Sequence, residues 1–175
     1  MPSSSCERLP QPPDSSARPS VSNISLADVE SGEVRRVIKA WRHWCGFSSL
    51  PTRDKLVPRD LGPALANVSV ARVNGDDYVF AVIGEVHVQA YGRNFQGRLL
   101  SEVLAAAPRF GRQLKASYDF VRTTRRPLGF RGMIGHDVPD TRFSWFETVY
   151  LPFGTPAGGV DHILNAAVYS WQGPG

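Results

Sequence analysis

Residues 77–104 read DYVFAVIGEVHVQAYGRNFQGRLLSEVL, and this stretch decides the fold. The apolar run 78–83 has strand composition and stops at Gly84. Residues 85–91 then read as a short helix closing on Tyr91-Gly92-Arg93. Gly97-Arg98 opens a second helical pattern in which Leu99, Leu100, Val103 and Leu104 share one face. Upstream, Val68, Val70 and Val73 form a β-rich run that turns at Asn74-Gly75-Asp76-Asp77 and returns as the 78–83 strand, which predicts a hairpin. Downstream, Pro108 begins the longest later helix, with Phe110, Leu114, Tyr118 and Val121 as its apolar stripe. That helix has to finish by Arg126-Pro127, because the residue before a proline is pushed out of the α region.

Residues 128–134, 143–153 and 160–171 each have strand composition. They are separated by Gly135-His136-Asp137 with Pro139-Asp140, and by the GTPAGG run at 154–159. The expected fold class is therefore α+β: five antiparallel strands, helices inserted between the second and third, and those helices covering one face of the sheet.

Residues 1–23, dominated by Ser, Pro and other polar residues, are expected to be a disordered tail, residues 24–66 an N-terminal helix with its connector, and residues 67–172 the domain proper. Ser25 followed by Asp28 has the spacing of a weak helix cap. Past Ser31-Gly32 the pattern strengthens: Val34, Val37, Ile38, Trp41, Trp44 and Cys45 fall on one stripe of an amphipathic helix that Gly46 stops. Two tryptophans on one short face have to be covered, either by the chain's own sheet or by a second copy in a homodimer. Val34, Ile38, Trp41 and Trp44 are the interface candidates. Pro51 and Pro58 bracket an irregular connector, and Arg59-Asp60-Leu61 with Leu65 suggests a short helix after it.

A chain of 175 residues, 42% hydrophobic and 21% charged, fits one globular domain with a tail. No apolar run approaches the roughly 20 residues that cross a bilayer, and the first residues carry no apolar core of a secretory signal, so no membrane association and a cytoplasmic location are expected. Cys6 and Cys45 are the two cysteines, and no structural disulfide is expected between them. The net charge of +4 collects in two helical stripes: Arg35, Arg36, Lys39 and Arg42, and Arg109, Arg112, Lys115, Arg122, Arg125 and Arg126. These suit an acidic partner or a phosphate backbone, but aromatic stacking residues are not interleaved with them, which disfavours nucleic acid.

The succession Gly84, Tyr91-Gly92-Arg93, Gly97-Arg98, a long helix ending in Arg126-Pro127, and Glu147 ahead of Tyr150-Leu151-Pro152 resembles the PAS domain, a small sensory and interaction module. It is similar in particular to a subgroup of small stand-alone PAS proteins of alphaproteobacteria. There a tryptophan-bearing helix and a Pro-x-Arg-x-x-x-x-Pro connector precede the domain, matched here by Trp41, Trp44, Pro51, Arg53 and Pro58. The resemblance implies a non-enzymatic sensory or adaptor domain that regulates a signalling partner such as a kinase, with or without a small ligand.

A ligand in such a module lies between the sheet and the inserted helices, where the candidate pocket residues are Tyr91, Phe95, Leu114, Tyr118, Trp145 and Ile163. The resemblance leaves the cofactor unspecified. His87 is the histidine to test as a haem ligand. His43, His87, His136 and His162 follow no metal-binding spacing, so no metal site is expected. The rival reading is a small hydrolase or isomerase with Glu147 and His162 as acid and base, a pair more readily explained as surface or cross-strand polar residues.

Overall fold

The computed structural model describes residues 20–133 and 143–170. Most of the predicted tail with Cys6, the turn containing His136, and Trp171 lie outside the described residues. The hairpin at residues 74–77 sets the sheet. Strand β2 (Val68–Asn74) pairs with β3 (Asp77–Ile83) through an Asn74↔Asp77 closing pair. Gly75 occupies the first central position of that two-residue turn with φ of 63°, a conformation glycine adopts without strain. Later in the chain β4 (Leu128–Met133), β5 (Trp145–Thr155) and β6 (Gly159–Ser170) follow one another as antiparallel neighbours. β6 returns beside β2, so the first and last of these strands lie side by side.

Among the described residues the sheet has six strands, not five. Ser20–Asn23, expected to be tail, forms β1 at the outer edge of β4, and the spatial order is β1-β4-β5-β6-β2-β3 with every pair antiparallel. All four β1 residues are exposed, so no burial pattern announces this strand. It is held by backbone pairing, and the absence of a side chain at Gly132 lets it approach, since a Cβ there would collide with the Ser20 carbonyl. The Ser25 and Asp28 pair closes a turn rather than a helix, with Ser25 Oγ donating to Asp28 Oδ2 at 2.7 Å.

Both faces of the sheet are covered, which corrects the expectation of helices on one face. Helix α1 (Gly32–Cys45) starts at Ser31, whose hydroxyl accepts the Val34 amide at 3.2 Å, and stops at Gly46 with φ of 55°. It lies on β5 and β6 with Val34, Val37, Ile38, Trp41 and Trp44 buried against Val149, Leu151, Phe153, Leu164 and Ala166. The four interface candidates are therefore consumed inside their own chain: Val34 and Ile38 are 0% and 3% exposed, and both tryptophans 8%.

Trp41 donates its indole N–H to the Pro152 carbonyl at 2.9 Å, and Trp44 donates to Asp60 at 3.0 Å. Pro152 is tolerated within β5 because β4 pairs with β5 only as far as Tyr150, so the missing N–H falls on an unpaired edge. The connector holds a short 3-10 turn at Arg53–Lys55 and the one-turn helix α2 (Pro58–Leu61).

The opposite, inner face is covered by α3 (Glu85–Tyr91), α4 (Leu100–Ala106) and α5 (Pro108–Thr124). Gly84 donates its amide to the Val68 carbonyl at 2.8 Å, and a Cβ there would strike the Ala66 and Val68 carbonyls, so the strand-to-helix step needs glycine. Gly92 ends α3 in the left-handed region, and Gly97 donates to the Phe80 carbonyl while Phe80 donates to the Arg98 carbonyl. The Gly-Arg steps at 92–93 and 97–98 are thus a helix stop and a cap on the outer edge of β3. Among the described residues no helix is long and apolar enough to cross a membrane.

Replacing Trp41 and Trp44 by alanine is expected to cost about 3–5 kcal/mol each, as for other buried Trp→Ala changes. Denaturant unfolding with the mass in solution followed in parallel checks this: a lower midpoint at unchanged mass is expected, whereas a dimer that falls apart into stable monomers contradicts internal docking.

Candidate functional site

Side chains alternate across a strand, so β5 and β6 each divide between the two faces. Thr148 and Tyr150 of β5 and Ile163, Asn165 and Tyr169 of β6 point to α3–α5, while Glu147, Val149, Leu151 and Phe153 point to α1. All five tyrosines of the chain, Tyr78, Tyr91, Tyr118, Tyr150 and Tyr169, sit in the inner-face core.

Tyr118 stacks edge-on against Tyr150 with ring centroids 5.6 Å apart and lies 5.0 Å from Tyr78. Tyr78 donates its hydroxyl to Asp119 at 2.7 Å, and Lys115 grips the same carboxylate from the next turn of α5. Burial raises Tyr91, Tyr118 and Tyr169 above the ordinary phenol range and holds Tyr150 at about 12, so the cluster is one of neutral donors.

His87 is at the centre of the polar part. It is 0% exposed, delivered by α3, whose start is pinned to Val68 through Gly84. Its Nε2 lies 2.9 Å from the Asn67 carbonyl, which can only accept, so Nε2 carries the proton. Nδ1 is then an acceptor, 3.1 Å from both the Tyr91 and Tyr169 hydroxyls, which are 3.3 Å from one another. One phenol donates to the ring and the other to its neighbour. Burial pushes the imidazolium down to about 4, so His87 is neutral at physiological pH. Beside it Asn165 donates to Thr148 Oγ1 at 2.6 Å and to the Val149 carbonyl at 3.0 Å. The buried hydroxyls of Ser69 and Tyr118 lie close to one another without reaching hydrogen-bonding geometry, and among the described residues neither has another partner.

A cavity of about 30 Å³ adjoins this cluster, walled by Tyr91, Tyr150, Tyr169 and Thr148 with Phe110 and Leu114 of α5 above, and Gln113 at its exposed rim. That volume is about the share of one water in liquid. Tyr91 and Leu114 of the expected pocket residues line it. Phe95, Tyr118 and Ile163 are buried in the surrounding core and do not line it. Trp145 is on the other face, because its pleat position is that of Glu147 and Val149. Thr148, Tyr150, Tyr169, Phe110, Gln113, Phe143 and Phe146 line the cavity without being among the expected pocket residues, and His87, expected only as a haem ligand, adjoins it through Tyr91 and Tyr169. The alternation along β5 and β6 carries the signal for the strand residues once Tyr150 is taken as facing inward.

The remaining candidates separate. Both nitrogens of His87 are committed, which removes it as a haem ligand in this arrangement. Among the described residues no three His, Cys, Asp or Glu side chains converge on a metal position. Glu147 and His162 do not meet. Glu147 pairs with Val168 and His162 with Phe153, six positions apart along β6, or about 20 Å at ~3.3 Å per residue.

Glu147 is 0% exposed and fully occupied: its carboxylate accepts the Glu30 amide at 3.0 Å and the Ser31 amide at 2.8 Å, and pairs with Arg131 at 3.3 Å. His162 pairs with its neighbour Asp161 at 2.9 Å. In the basic stripe of α5, Lys115 is paired with Asp119, Arg122 donates to the Gly75 carbonyl and Arg125 to the Pro156 carbonyl. No family model matches the chain, and neither the curated proteins nor the solved structures contain a match to it.

Because the folded-state His87 takes up its proton only near pH 4 while the unfolded chain does so near 6.5, His87 contributes stability above pH 6.5 that is lost as pH falls from 6.5 toward 4, by up to about 1.4 kcal/mol per pH unit. Unfolding curves across that window should show the wild-type slope exceeding that of His87→Gln; equal slopes would contradict a buried neutral imidazole. Tyr91→Phe and Tyr169→Phe should each be mild, since the remaining phenol still serves Nδ1, while the double variant should lose about 1 kcal/mol more than their sum. An additive double variant would show that the two hydroxyls act independently.

Proposed function

We propose that this chain is a PAS-like sensory or adaptor domain that acts by regulating a partner, a signalling protein such as a kinase, and that its inner face takes a small hydrogen-bonding ligand. Two features support the architectural part: the helices α3–α5 inserted between the second and third strands of a five-strand antiparallel core, and a tryptophan-bearing helix packed ahead of it. The ligand part rests on one observation. A cavity rimmed by the Tyr91, Tyr150 and Tyr169 rings and Thr148 lies in the same inner-face core as two buried hydroxyls, Ser69 and Tyr118, which do not line it and reach no hydrogen-bonding geometry among the described residues, where a core selected for packing alone would be filled and fully paired.

The phenols of Tyr91, Tyr150 and Tyr169, with Thr148 and Gln113, present polar groups without net charge to the cavity. The rings of Phe110, Phe143 and Phe146 supply flat apolar contact. The ligand class this favours is an uncharged, ring-sized molecule with hydrogen-bonding substituents. At about 30 Å³ the space admits it only when the half-buried Phe110 and exposed Gln113, at the start of α5, swing outward. No convergent acid and base pair accompanies the cavity among the described residues, so an adaptor rather than an enzyme is the reading the geometry favours.

Native mass spectrometry of freshly purified protein, followed by analysis of what denaturation releases, tests this. One equivalent of a small organic molecule is expected on the wild-type chain and not on Leu114→Trp, which fills the cavity. A chain that is empty, and whose melting temperature does not rise with a panel of small phenols and aromatic amides, overturns the ligand reading.

A further inference from the structure

The cations of α1 differ from those of α5. Arg35, Arg36, Lys39 and Arg42 are exposed, and among the described residues none of them makes an ion pair or a hydrogen bond. Arg35, Lys39 and His43 recur at i, i+4 and i+8, a row about 12 Å long at 1.5 Å rise per residue. Arg35 and Lys39, like charges at i and i+4, repel one another and weaken the helix, so this pair is not explained by the stability of α1.

With Gly32, Ala40 and Asp60 these residues wall an open groove of about 520 Å³. Asp60 is the single carboxylate there and already accepts the Trp44 indole. Past His43 the surface continues into a second depression of about 490 Å³ lined by Cys45, Ser48, Thr52 and Lys55. Phe47, immediately after the glycine that stops α1, lines neither depression and stands with its ring wholly in solvent, at 113% of the reference exposure.

We propose that this groove is a docking surface for an acidic segment of a partner protein, whose carboxylates run along Arg35, Arg36 and Lys39 and whose apolar side chain covers Phe47. Charge complementarity selects an anionic occupant. The Asp60 carboxylate in the groove wall and the exposed Phe47 ring just past the end of α1 favour a peptide over a nucleic-acid backbone, which presents phosphate along its whole length and would face Asp60. A bilayer surface would need several apolar side chains projecting at one level, and here one aromatic stands at the end of a charged row. The surface lies on α1, on the far side of the sheet from the phenol cluster, so it can fail while the ligand reading stands, and the reverse.

The test uses the full chain and a fluorescein-labelled peptide of repeated Glu-Glu-Leu triplets, read by anisotropy beside a short arbitrary duplex and mixed phosphatidylcholine and phosphatidylserine vesicles. Binding of the peptide in preference to both is expected. It should weaken about tenfold with Arg35→Glu plus Lys39→Glu, and measurably with Phe47→Ala. The charge-matched control Arg112→Glu plus Arg126→Glu should leave it unchanged, and unfolding midpoints should confirm that every variant is folded. Preference for the duplex or the vesicles, no peptide binding, or peptide binding indifferent to the α1 changes would each overturn the proposal.

Discussion

Strand β5 is buried along nine consecutive residues, 146–154, and that burial on both sides governs the architecture. A strand with one face in water alternates; a strand without alternation needs a layer above and a layer below. The lower layer is α1 and the upper layer is α3–α5. Within this run stands Glu147, a carboxylate fully withdrawn from water, whose desolvation costs several kcal/mol unless its oxygens are met. They are met by two backbone amides just ahead of α1 and by Arg131 from β4, which also pairs with Glu30 at 2.7 Å and donates to the Asp28 carbonyl. The same contact therefore fixes where α1 begins and ties it to the β4 side of the sheet.

The two faces are chemically unlike. On the α1 face the polar content is one buried ion-pair network surrounded by aliphatic and indole packing. On the inner face it is a set of neutral hydroxyls, an amide and an imidazole, interleaved with aromatic rings. An ion pair in low dielectric has one good geometry and resists rearrangement. Neutral phenols can trade donors at little cost, as the Tyr91, Tyr169 and His87 triangle illustrates with its two equivalent hydrogen-bond patterns. The stiff face and the adaptable face are separated by one sheet.

Much of the scaffold was legible because local chemistry wrote it. Gly75 fixed the first hairpin, Gly84 and Gly92 bounded α3 at its observed limits, and Pro127 marked where α5 had to end. What failed was non-local. The stripe of α1 announced that something covers it without naming the cover. The continuous apolar character of residues 149–153, VYLPF, held the answer: such a run is covered from both sides. β1 left no trace, since its residues are exposed and its partner is backbone. In the pocket the residue types were anticipated but the pleat was assigned a wrong phase. Trp145 and Ile163 were placed on one face, although β5 and β6 pair Pro152 with Ile163, so that even positions of β5 accompany odd positions of β6.

The continuity of α1 with the sheet changes what counts as the folding unit. A fragment beginning at residue 67, where the strand pattern starts, would bare Leu151, Phe153, Leu164 and Ala166 along one whole side and leave the Glu147 carboxylate facing water it was never shaped to meet. Such a fragment would be sticky and self-associating for reasons unrelated to biology. Any transplantation of this module into another polypeptide has to carry α1 and the Glu30 and Ser31 amides ahead of it along with the sheet.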